Sequence, residues 1–503
     1  MELETFGEPA CESEVTRLDG RYSKYYFHHT EFTNLATDPR SYLFIGRRGS
    51  GKTALTQYFY FQNKLPRAIN IDIDEPAAFQ GVLDKIAART VYAREIAIPD
   101  LAKLWCLVFW FVLFRELRDR DPRIRAACIF GDEAGRVTTF IKGMLKQLLS
   151  KKLNFDEDLS DQLERILGDQ TISQAQSAVL EFAREQPVIL TFDSLENYSV
   201  ENDQMMKATA SLIQAAAKFN EDYASKNLHL KLFMMAEIYP LLKEQVLLNP
   251  LKHVRHEIFL SWRPKDLMRL LSWRLRRHLK DHNLLKPTQS RLDWDDHHDV
   301  LHRIWEPQFG RMIQSNGGPP EPTFTYVLRH TQMRPRQVIV LCNSIASHAQ
   351  ANGRFPQFSA EDILAGVRNA EAALVDEVFN SYSSVYPNVA LIAEALSGLP
   401  RMFTGNLLDK AAPKTASLWP NREYSPYRFR QLVAEVGIVG RVRRFDRSSG
   451  IVEADFEYGS HQRLGLQVTD DCVIHPMFYR KLNVAKDQPL TVMPFPDHPD
   501  YVM

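Results

Sequence analysis

The sequence has 503 residues, of which 45% are hydrophobic, 25% charged and 11% aromatic, the composition of an ordinary globular protein of about two to four domains. Its 62 basic and 62 acidic residues cancel, which excludes a global electrostatic attraction to nucleic acid or to an anionic membrane. The five cysteines are scattered and form no CxxC pair, which argues against structural zinc and a disulfide framework and favours the reducing cytoplasm.

The first 262 residues alternate between predicted helices and predicted strands. Residues 1–40 predict a helical lead-in, and residues 51–62 and about 77–185 carry apolar side chains at helical spacing. Five strands are predicted, at Tyr42–Ile45, Arg67–Ile73, Pro187–Phe192, Leu228–Ala236 and His256–Leu260. Because strands that alternate with helices form a parallel sheet covered on both faces, residues 41–262 predict one α/β domain.

One apolar run, Leu104–Phe114, stands out within this region. It spans 11 residues and ends at Arg115, whereas a membrane span needs about 20. We therefore expect a buried helix and no membrane contact, with a partner-binding face as the alternative. The acidic N-terminal segment lacks the apolar region of a signal peptide, which again favours the cytoplasm.

The remainder of the chain is predicted to be mostly helical. Helices are expected at 264–280, 295–306, 321–330, 334–350 and 359–378, with a loop or helix break at Gln314–Pro322. These segments predict a helical lid domain over residues 263–380. Residues 381–503 predict short helices, then a basic hairpin with its turn at Asp446–Gly450, then a further extended segment at Leu464–Val468. This order is typical of a winged-helix-like domain.

The segment Gly46–Thr53 matches the phosphate-binding pattern G-x-x-x-x-G-K-[ST] in full. Its glycines let the backbone coil so that N–H groups surround phosphate oxygens at the positive end of the following helix. We expect Lys52 to reach the β- and γ-phosphates and the Thr53 hydroxyl to bind Mg²⁺. The predicted nucleotide-binding residues are Gly46, Arg47, Gly49, Ser50, Gly51, Lys52 and Thr53.

The second part of such a site is an acidic residue at the end of a neighbouring strand. Asp193 follows the apolar strand and is expected to hold Mg²⁺ together with Thr53. Many ATPases of this kind carry another acid directly after this aspartate, but here the position is Ser194. Glu196 is therefore a candidate for activating the attacking water, and Glu237 is a candidate for contacting that water or the γ-phosphate. A helix cap for Glu196 and a solvated loop acid for Glu237 are the alternatives.

Two arginines flank the proline at the start of a predicted helix, Arg334 and Arg336. Proline is favourable there, but a helix N-terminus disfavours cations. A nearby phosphate would offset that cost, so either arginine is a candidate for contacting the γ-phosphate from the lid domain. The alternative is an arginine pair on the surface.

The C-terminal region carries basic residues on its predicted helix and hairpin: Arg428, Arg430, Arg441, Arg443, Arg444 and Arg447. A DNA-binding winged helix places one helix in the major groove and its wing on phosphates. Interspersed acids dilute the positive charge, among them Glu435, Glu453 and Asp455. Contact with DNA, contact with protein and neither of these remain open.

Six segments together resemble a family: FIGRRGSGKTAL, VILTFDSLE, LFMMAEIYPLL, LSWRPKDLMRLL, MRPRQVIVLCNSI and VIHPMFYRKL. They are similar to a group of bacterial P-loop ATPases related to AAA+, STAND and origin-recognition-type enzymes, many of them encoded beside effectors in anti-phage defence neighbourhoods. The resemblance covers about residues 20–485. It implies an ASCE/AAA-like core, a Walker B role for Asp193 and a lid-sensor role for Arg334 or Arg336. Ser194 and Met235 depart from the pattern and favour slow turnover.

The sequence therefore predicts a cytoplasmic ATP- and Mg²⁺-binding switch with slow hydrolysis, which assembles with itself or with a separately encoded effector. One alternative is a DNA-binding protein whose affinity for DNA is regulated by ATP. Another is a scaffold with a structural nucleotide that is never hydrolysed. ATP and GTP are not distinguished, because we find no base-recognition motif.

Overall fold

The computed structural model describes residues 4–73, 98–127, 168–193, 203–245, 257–315, 318–419, 424–460, 463–485 and 490–495. The chain divides into two compact units. The parallel-sheet unit comprises Glu31–Arg48 and Lys52–Leu260, and the C-terminal unit comprises Met1–Thr30, Gly49–Gly51 and Ser261–Met503.

The described elements of the first 260 residues include the helices α1 (Cys11–Leu18), α2 (Tyr22–Tyr25), α3 (Glu31–Ala36), α4 (Lys52–Phe61), α5 (Ile98–Arg118), α6 (Pro122–Ala127), α7 (Gln170–Glu185), α8 (Asp203–Tyr223) and α9 (Tyr239–Gln245). The strands are β1 (Leu43–Gly46), β2 (Ile69–Ile73), β3 (Val188–Phe192), β4 (Leu228–Met235) and β5 (Glu257–Phe259). Residues 77–97 and 128–167 of the predicted helical stretch, and His256, lie outside the described residues.

The parallel-sheet unit is built on one five-stranded sheet in the order β2-β3-β4-β1-β5, in which every pairing is parallel. All residues of β1, β3 and β4 are buried, as expected of central strands covered on both faces. Strand β2 begins at Ile69 and not at Arg67, because Arg67 adopts a left-handed backbone conformation with φ of 61°. The predicted α/β parallel-sheet core is confirmed.

Helix α5 contains the apolar run and packs within the same unit. Its Trp105 donates an indole N–H to the carbonyl of Ala208 at 3.1 Å and meets the Phe192 ring edge-on at 6.0 Å. The side chains from Leu104 to Phe114 are buried except at Cys106, which is partly buried. The prediction of a buried helix is confirmed, and within the described ranges no helix is long and apolar enough to cross a membrane.

The elements after residue 260 continue the numbering. The helices are α10 (Pro264–Asp281), α11 (His297–Val300), α12 (Glu306–Phe309), α13 (Thr323–Leu328), α14 (Pro335–Ala351), α15 (Ala360–Tyr382), α16 (Val389–Ala393), α17 (Asn406–Ala411), α18 (Pro426–Glu435) and α19 (Glu457–Ser460). The strands are β6 (Met312–Gln314), β7 (Pro320–Pro322), β8 (Met402–Thr404), β9 (Val439–Asp446), β10 (Ile451–Asp455), β11 (Asp471–Ile474) and β12 (Thr491–Met493).

The helices of the C-terminal unit follow the predicted order with two differences. A π-helical turn at Leu301–Trp305 joins α11 to α12, so the helix predicted at 295–306 is irregular and extends to Phe309. The predicted loop at Gln314–Pro322 is partly wrong, because its ends pair as the antiparallel strands β6 and β7. Gly366 lets α15 approach α14 closely, since a Cβ atom there would lie 2.5 Å from Ile345 Cα.

The N-terminal segment is anchored inside the C-terminal unit. The Phe6 side chain is fully buried, its amide donates to Asn343 Oδ1 at 2.9 Å, and Asn343 Nδ2 donates to the Gly7 carbonyl at 2.8 Å. The carboxylate of Glu14 on α1 accepts two hydrogen bonds from Arg274 at 2.6 and 2.8 Å, and both side chains are buried. A buried, bidentate pair of this kind fixes orientation.

The last part of this unit contains a second five-stranded sheet, in the order β12-β10-β9-β11-β8. The predicted hairpin is present as β9 and β10, preceded by α18. Strand β11 separates β8 from β9, and the winged-helix assignment stays a prediction. The extended segment expected at Leu464–Val468 forms no strand; the strand lies at Asp471–Ile474.

The quoted segment VIHPMFYRKL, which begins at Val473, belongs to a strand only over its first two residues. Ile474 ends β11, and His475 then caps a short 3₁₀ turn at Pro476–Phe478 by accepting the amide N–H of Met477. His475 also bonds the Tyr458 hydroxyl at 2.8 Å. The buried residues of the two predicted C-terminal domains form one continuous apolar core, and the boundary between them near residue 380 stays a prediction.

Candidate nucleotide-binding site

The loop Gly46–Thr53 connects β1 to α4, so the phosphate-binding motif lies between a strand and a helix as its chemistry requires. Gly49 and Gly51 have φ angles of 78° and 96°, a region that side-chain-bearing residues rarely adopt. Substitution at either glycine would strain the turn. The motif therefore has the backbone conformation that its glycines predict.

Lys52 is the first residue of α4, and its side chain is only 6% exposed. Its ammonium group donates to the carbonyl oxygen of Gly46 at 3.1 Å and to that of Arg47 at 3.4 Å. Neutral carbonyl groups leave the lysine charge without an anionic partner in these two contacts. The ammonium is thus held over the loop by bonds that phosphate oxygens would strengthen.

Thr53 and Asp193 are brought together although 140 positions separate them. The Thr53 hydroxyl donates to Asp193 Oδ2 at 2.9 Å, and the Asp193 side chain is buried. The contact arises because the carboxyl ends of parallel strands β1 and β3 meet at one edge of the sheet, with β4 between them. The structure therefore places the two predicted residues within hydrogen-bonding distance of each other. Their role in binding Mg²⁺ stays a prediction.

The oxygen ligands at this pair suit Mg²⁺, which prefers hard oxygen donors and retains water and phosphate ligands. In the described part of the chain, no group of three or more His, Cys, Asp or Glu side chains is arranged to hold a metal ion. A cation at Thr53 and Asp193 would therefore need phosphate and water to complete its coordination. That donor set fits a magnesium–nucleotide.

Glu237 lies just beyond β4 and contacts the loop. Its Oε1 accepts the amide N–H of Arg48 at 3.1 Å, whereas its Oε2 is buried and has no hydrogen-bond partner. The carboxylate is 6% exposed, so it is not the solvated loop acid of the alternative interpretation. Glu196 and Ser194 lie outside the described residues, and the role predicted for Glu196 stays a prediction.

Two residues of the C-terminal unit contact the tip of the loop, Gly49–Gly51, which groups with that unit. The Trp262 indole donates to the Ser50 carbonyl at 2.8 Å, and the buried Ser50 hydroxyl has no partner. The amide of Arg336 donates to the Gly49 carbonyl at 3.3 Å. Sequence reasoning missed Trp262, although it lies in the quoted segment LSWRPKDLMRLL.

The two arginines predicted as lid sensors have different surroundings. Arg334 is 2% exposed, and its guanidinium donates to Gln332 Oε1 at 2.8 Å. Arg336 is less buried and donates to the Pro9 carbonyl at 3.2 Å and to Glu377 Oε1 at 3.4 Å. The interpretation of both as a surface pair is wrong, and of the two, Arg336 is the one whose backbone contacts the loop tip.

A comparison with protein families matches residues 305–377 to a model described as the FunZ-associated C-terminal helical domain. No curated protein matches the chain. Among solved structures, the chain is similar to Cdc6p from Pyrobaculum aerophilum, with 12% sequence identity, 93% of each chain covered and a TM-score of 0.30. A likeness of that degree carries no argument; the fold class rests on the sheet topology and on the loop between β1 and α4.

Proposed function

We propose that this chain is a P-loop ATPase that binds ATP with Mg²⁺ and acts as a nucleotide-controlled switch, assembling with itself or with a separately encoded effector protein. The observation that carries the proposal is the 2.9 Å contact between the Thr53 hydroxyl and Asp193, beside the buried ammonium of Lys52. An ammonium, a hydroxyl and a carboxylate come together there, and enzymes that transfer phosphoryl groups use this combination.

Binding is expected to replace weak contacts in the loop by stronger ones. Lys52 exchanges the neutral carbonyl oxygens of Gly46 and Arg47 for phosphate oxygens, whose negative charge attracts the ammonium directly. The Ser50 hydroxyl, buried without a partner, gains an acceptor. Thr53 and Asp193 would hold Mg²⁺, which neutralises charge on the phosphate oxygens.

Hydrolysis is expected to be slow. Glu237 is the described carboxylate that can orient an attacking water, because its Oε2 is buried beside the loop and lacks a partner. Its Oε1 is already engaged by the Arg48 amide, so the residue has one oxygen left for the water. We include Glu196 in the proposal as a second candidate base on the sequence pattern alone.

The switch follows from contact with the terminal phosphate by Arg336. A nucleotide shifts a conformational equilibrium only by its differential affinity for the two states, and ATP differs from ADP in the phosphate that an arginine would contact. Arg334 is the second candidate for this role. The proposal includes a role in anti-phage defence, which rests on the family resemblance. The match of residues 305–377 to the FunZ-associated domain is compatible with this role.

The proposal is tested by light scattering with ATP turnover followed in the same sample, for the wild type, Lys52→Ala and the exposed control Lys64→Ala. We expect ATP with Mg²⁺ to move the wild type and the control to a larger species and to leave Lys52→Ala unchanged. A copurifying nucleotide that never turns over would mark a scaffold. No response of size or turnover to ATP in the wild type contradicts the proposal.

The basic hairpin favours a second candidate, an ATP-regulated DNA-binding protein. Arg428 on α18 and Arg444 and Arg447 on the hairpin are exposed, although Arg443 pairs with Glu453 at 3.1 Å. Binding to duplex DNA that weakens steeply with salt, and that Arg444→Ala and Arg447→Ala weaken, would favour this candidate. No DNA binding at low salt removes it.

A further inference from the structure

Arg336 is held by two acceptors within the C-terminal unit. Its Nε donates to the carbonyl of Pro9 at 3.2 Å and its Nη1 to Glu377 Oε1 at 3.4 Å, while its own amide donates to the Gly49 carbonyl. The backbone contact fixes the position of the residue at the tip of the phosphate loop. The two side-chain contacts therefore decide where the guanidinium points.

Glu377 also lies at the tip of the phosphate loop, beside Gly49. It projects from α15, its side chain is 16% exposed, and its Oε1 is 3.1 Å from the point where a Cβ atom on Gly49 would lie. The carboxylate thus puts a negative charge beside a loop whose sequence matches a phosphate-binding pattern. Like charges at such distances repel, and the repulsion is larger where water is partly excluded.

We propose that Glu377 is a positioning residue that competes with the terminal phosphate for Arg336 and so lowers the affinity of the site for a triphosphate while leaving its affinity for a diphosphate unchanged. This inference rests on the proposed function. Glu377 retains the guanidinium until a group of higher negative charge displaces it. The γ-phosphate of ATP carries more charge and more acceptor oxygens than a carboxylate, whereas ADP has no phosphate at that position.

Neutralising Glu377 is expected to weaken its hold on the Arg336 guanidinium while a side chain of the same size remains at position 377. In Glu377→Gln, the amide oxygen still accepts a hydrogen bond from Arg336, but the ion pair is lost. We expect ATP to bind about fivefold more tightly. This factor corresponds to the upper end of the free energies measured for ion pairs on protein surfaces. ADP affinity is expected to change by less than about twofold, because the competition involves only the terminal phosphate.

The experiment is calorimetric titration of ATP and of ADP, each with Mg²⁺, into the wild type, Glu377→Gln, Arg336→Ala, the double variant of these two and Lys52→Ala. Asp376→Asn is the matched control, since it removes the same charge one position earlier on α15 from an exposed side chain. Far-ultraviolet circular dichroism checks that each variant is folded. The gain for ATP should vanish in the Arg336→Ala background and be absent in Asp376→Asn.

Three results would overturn the inference. Unchanged or weaker ATP binding by Glu377→Gln, with binding abolished in Lys52→Ala, removes the role of Glu377 and leaves the proposed function intact. An equal gain for ATP and ADP, or a gain that persists in the Arg336→Ala background, shows general charge relief and not competition for Arg336. Normal ATP binding by Lys52→Ala removes both the proposed function and the inference built on it.

Discussion

Glu237 contacts the phosphate loop through only one of its two carboxylate oxygens. Oε1 accepts the Arg48 amide, and Oε2 is buried without a hydrogen bond in the described structure. Leaving a buried acceptor unsatisfied costs about 1–3 kcal/mol. A water molecule that donates to Oε2 removes that cost, which places the water beside the phosphate loop. This is the arrangement expected of a residue that orients a nucleophile.

Substituting Glu237 by glutamine is expected to separate binding from turnover. The amide oxygen still accepts the Arg48 N–H, so ATP affinity should stay within about twofold, whereas the loss of a general base lowers turnover by about 100-fold. Phosphate release at saturating ATP measures turnover, and calorimetric titration measures affinity. Glu221→Gln, on the exposed surface of α8, is the control. Normal turnover in Glu237→Gln would transfer the role to the segment that contains Glu196.

At the scale of an element, strand β4 carries a lysine inside the sheet. Lys231 is fully buried, and its ammonium donates to the carbonyls of Asp38 at 2.8 Å and Ser41 at 2.6 Å. Those carbonyls belong to the turn that leads into β1 and hence into the phosphate loop. Burial lowers the pKa of Lys231 to about 7, against the raising effect of the Asp38 carboxylate. His229, on the same face of β4, has its pKa lowered to about 4 by burial.

The lowered pKa of Lys231 predicts the direction of a pH dependence. Between pH 7 and 9 the unfolded chain holds the lysine proton while the native chain has largely released it. Unfolding therefore takes up a proton, and the free energy of unfolding rises with pH, by at most about 1.4 kcal/mol per pH unit. Below pH 7 the lysine contributes no further slope.

Urea denaturation followed by circular dichroism at pH 7, 8 and 9 measures this slope. In Lys231→Met, which keeps the chain length of the side chain without its charge, the rise should be absent. In Lys64→Met, at an exposed lysine of the same unit, it should persist. Equal slopes in the wild type and in Lys231→Met would show that the lysine does not titrate in this window.

At the scale of the whole molecule, two compact units each bury apolar residues around a sheet of their own. Chains of this kind need not unfold in a single transition. A ligand that binds only folded protein stabilises it by mass action, by about 2.7 kcal/mol at a free concentration of 100 times Kd. Because Lys52, Thr53 and Asp193 belong to the parallel-sheet unit, the transition of that unit should respond to nucleotide.

Differential scanning calorimetry with and without MgATP tests this expectation. The midpoint of at least one transition should rise in the wild type, and the rise should be lost in Lys52→Ala and when EDTA removes Mg²⁺. A rise of equal size in Lys52→Ala would mean that nucleotide acts elsewhere on the protein. A rise that EDTA leaves unchanged would remove Thr53 and Asp193 as magnesium ligands.

The sequence by itself determined what neighbouring residues impose on one another. The loop Gly46–Thr53 is specified by consecutive residues, because the left-handed angles at Gly49 and Gly51 follow from the absence of a side chain. The largely apolar run before Asp193 predicted a central strand, and the end of that strand located the acidic residue. The buried helix α5 followed in the same way from its uninterrupted apolar surface.

Only the tertiary structure decided which distant residues share a site. The contact of Glu237 with the Arg48 amide, the pairing of Arg336 with Glu377 and the burial of Lys231 against two carbonyls all join residues with no local pattern in common. The insertion of β11 between β8 and β9 is of the same kind. Local propensity acts over a few residues along the chain, whereas these contacts depend on which buried faces pack together and which polar groups must then find partners.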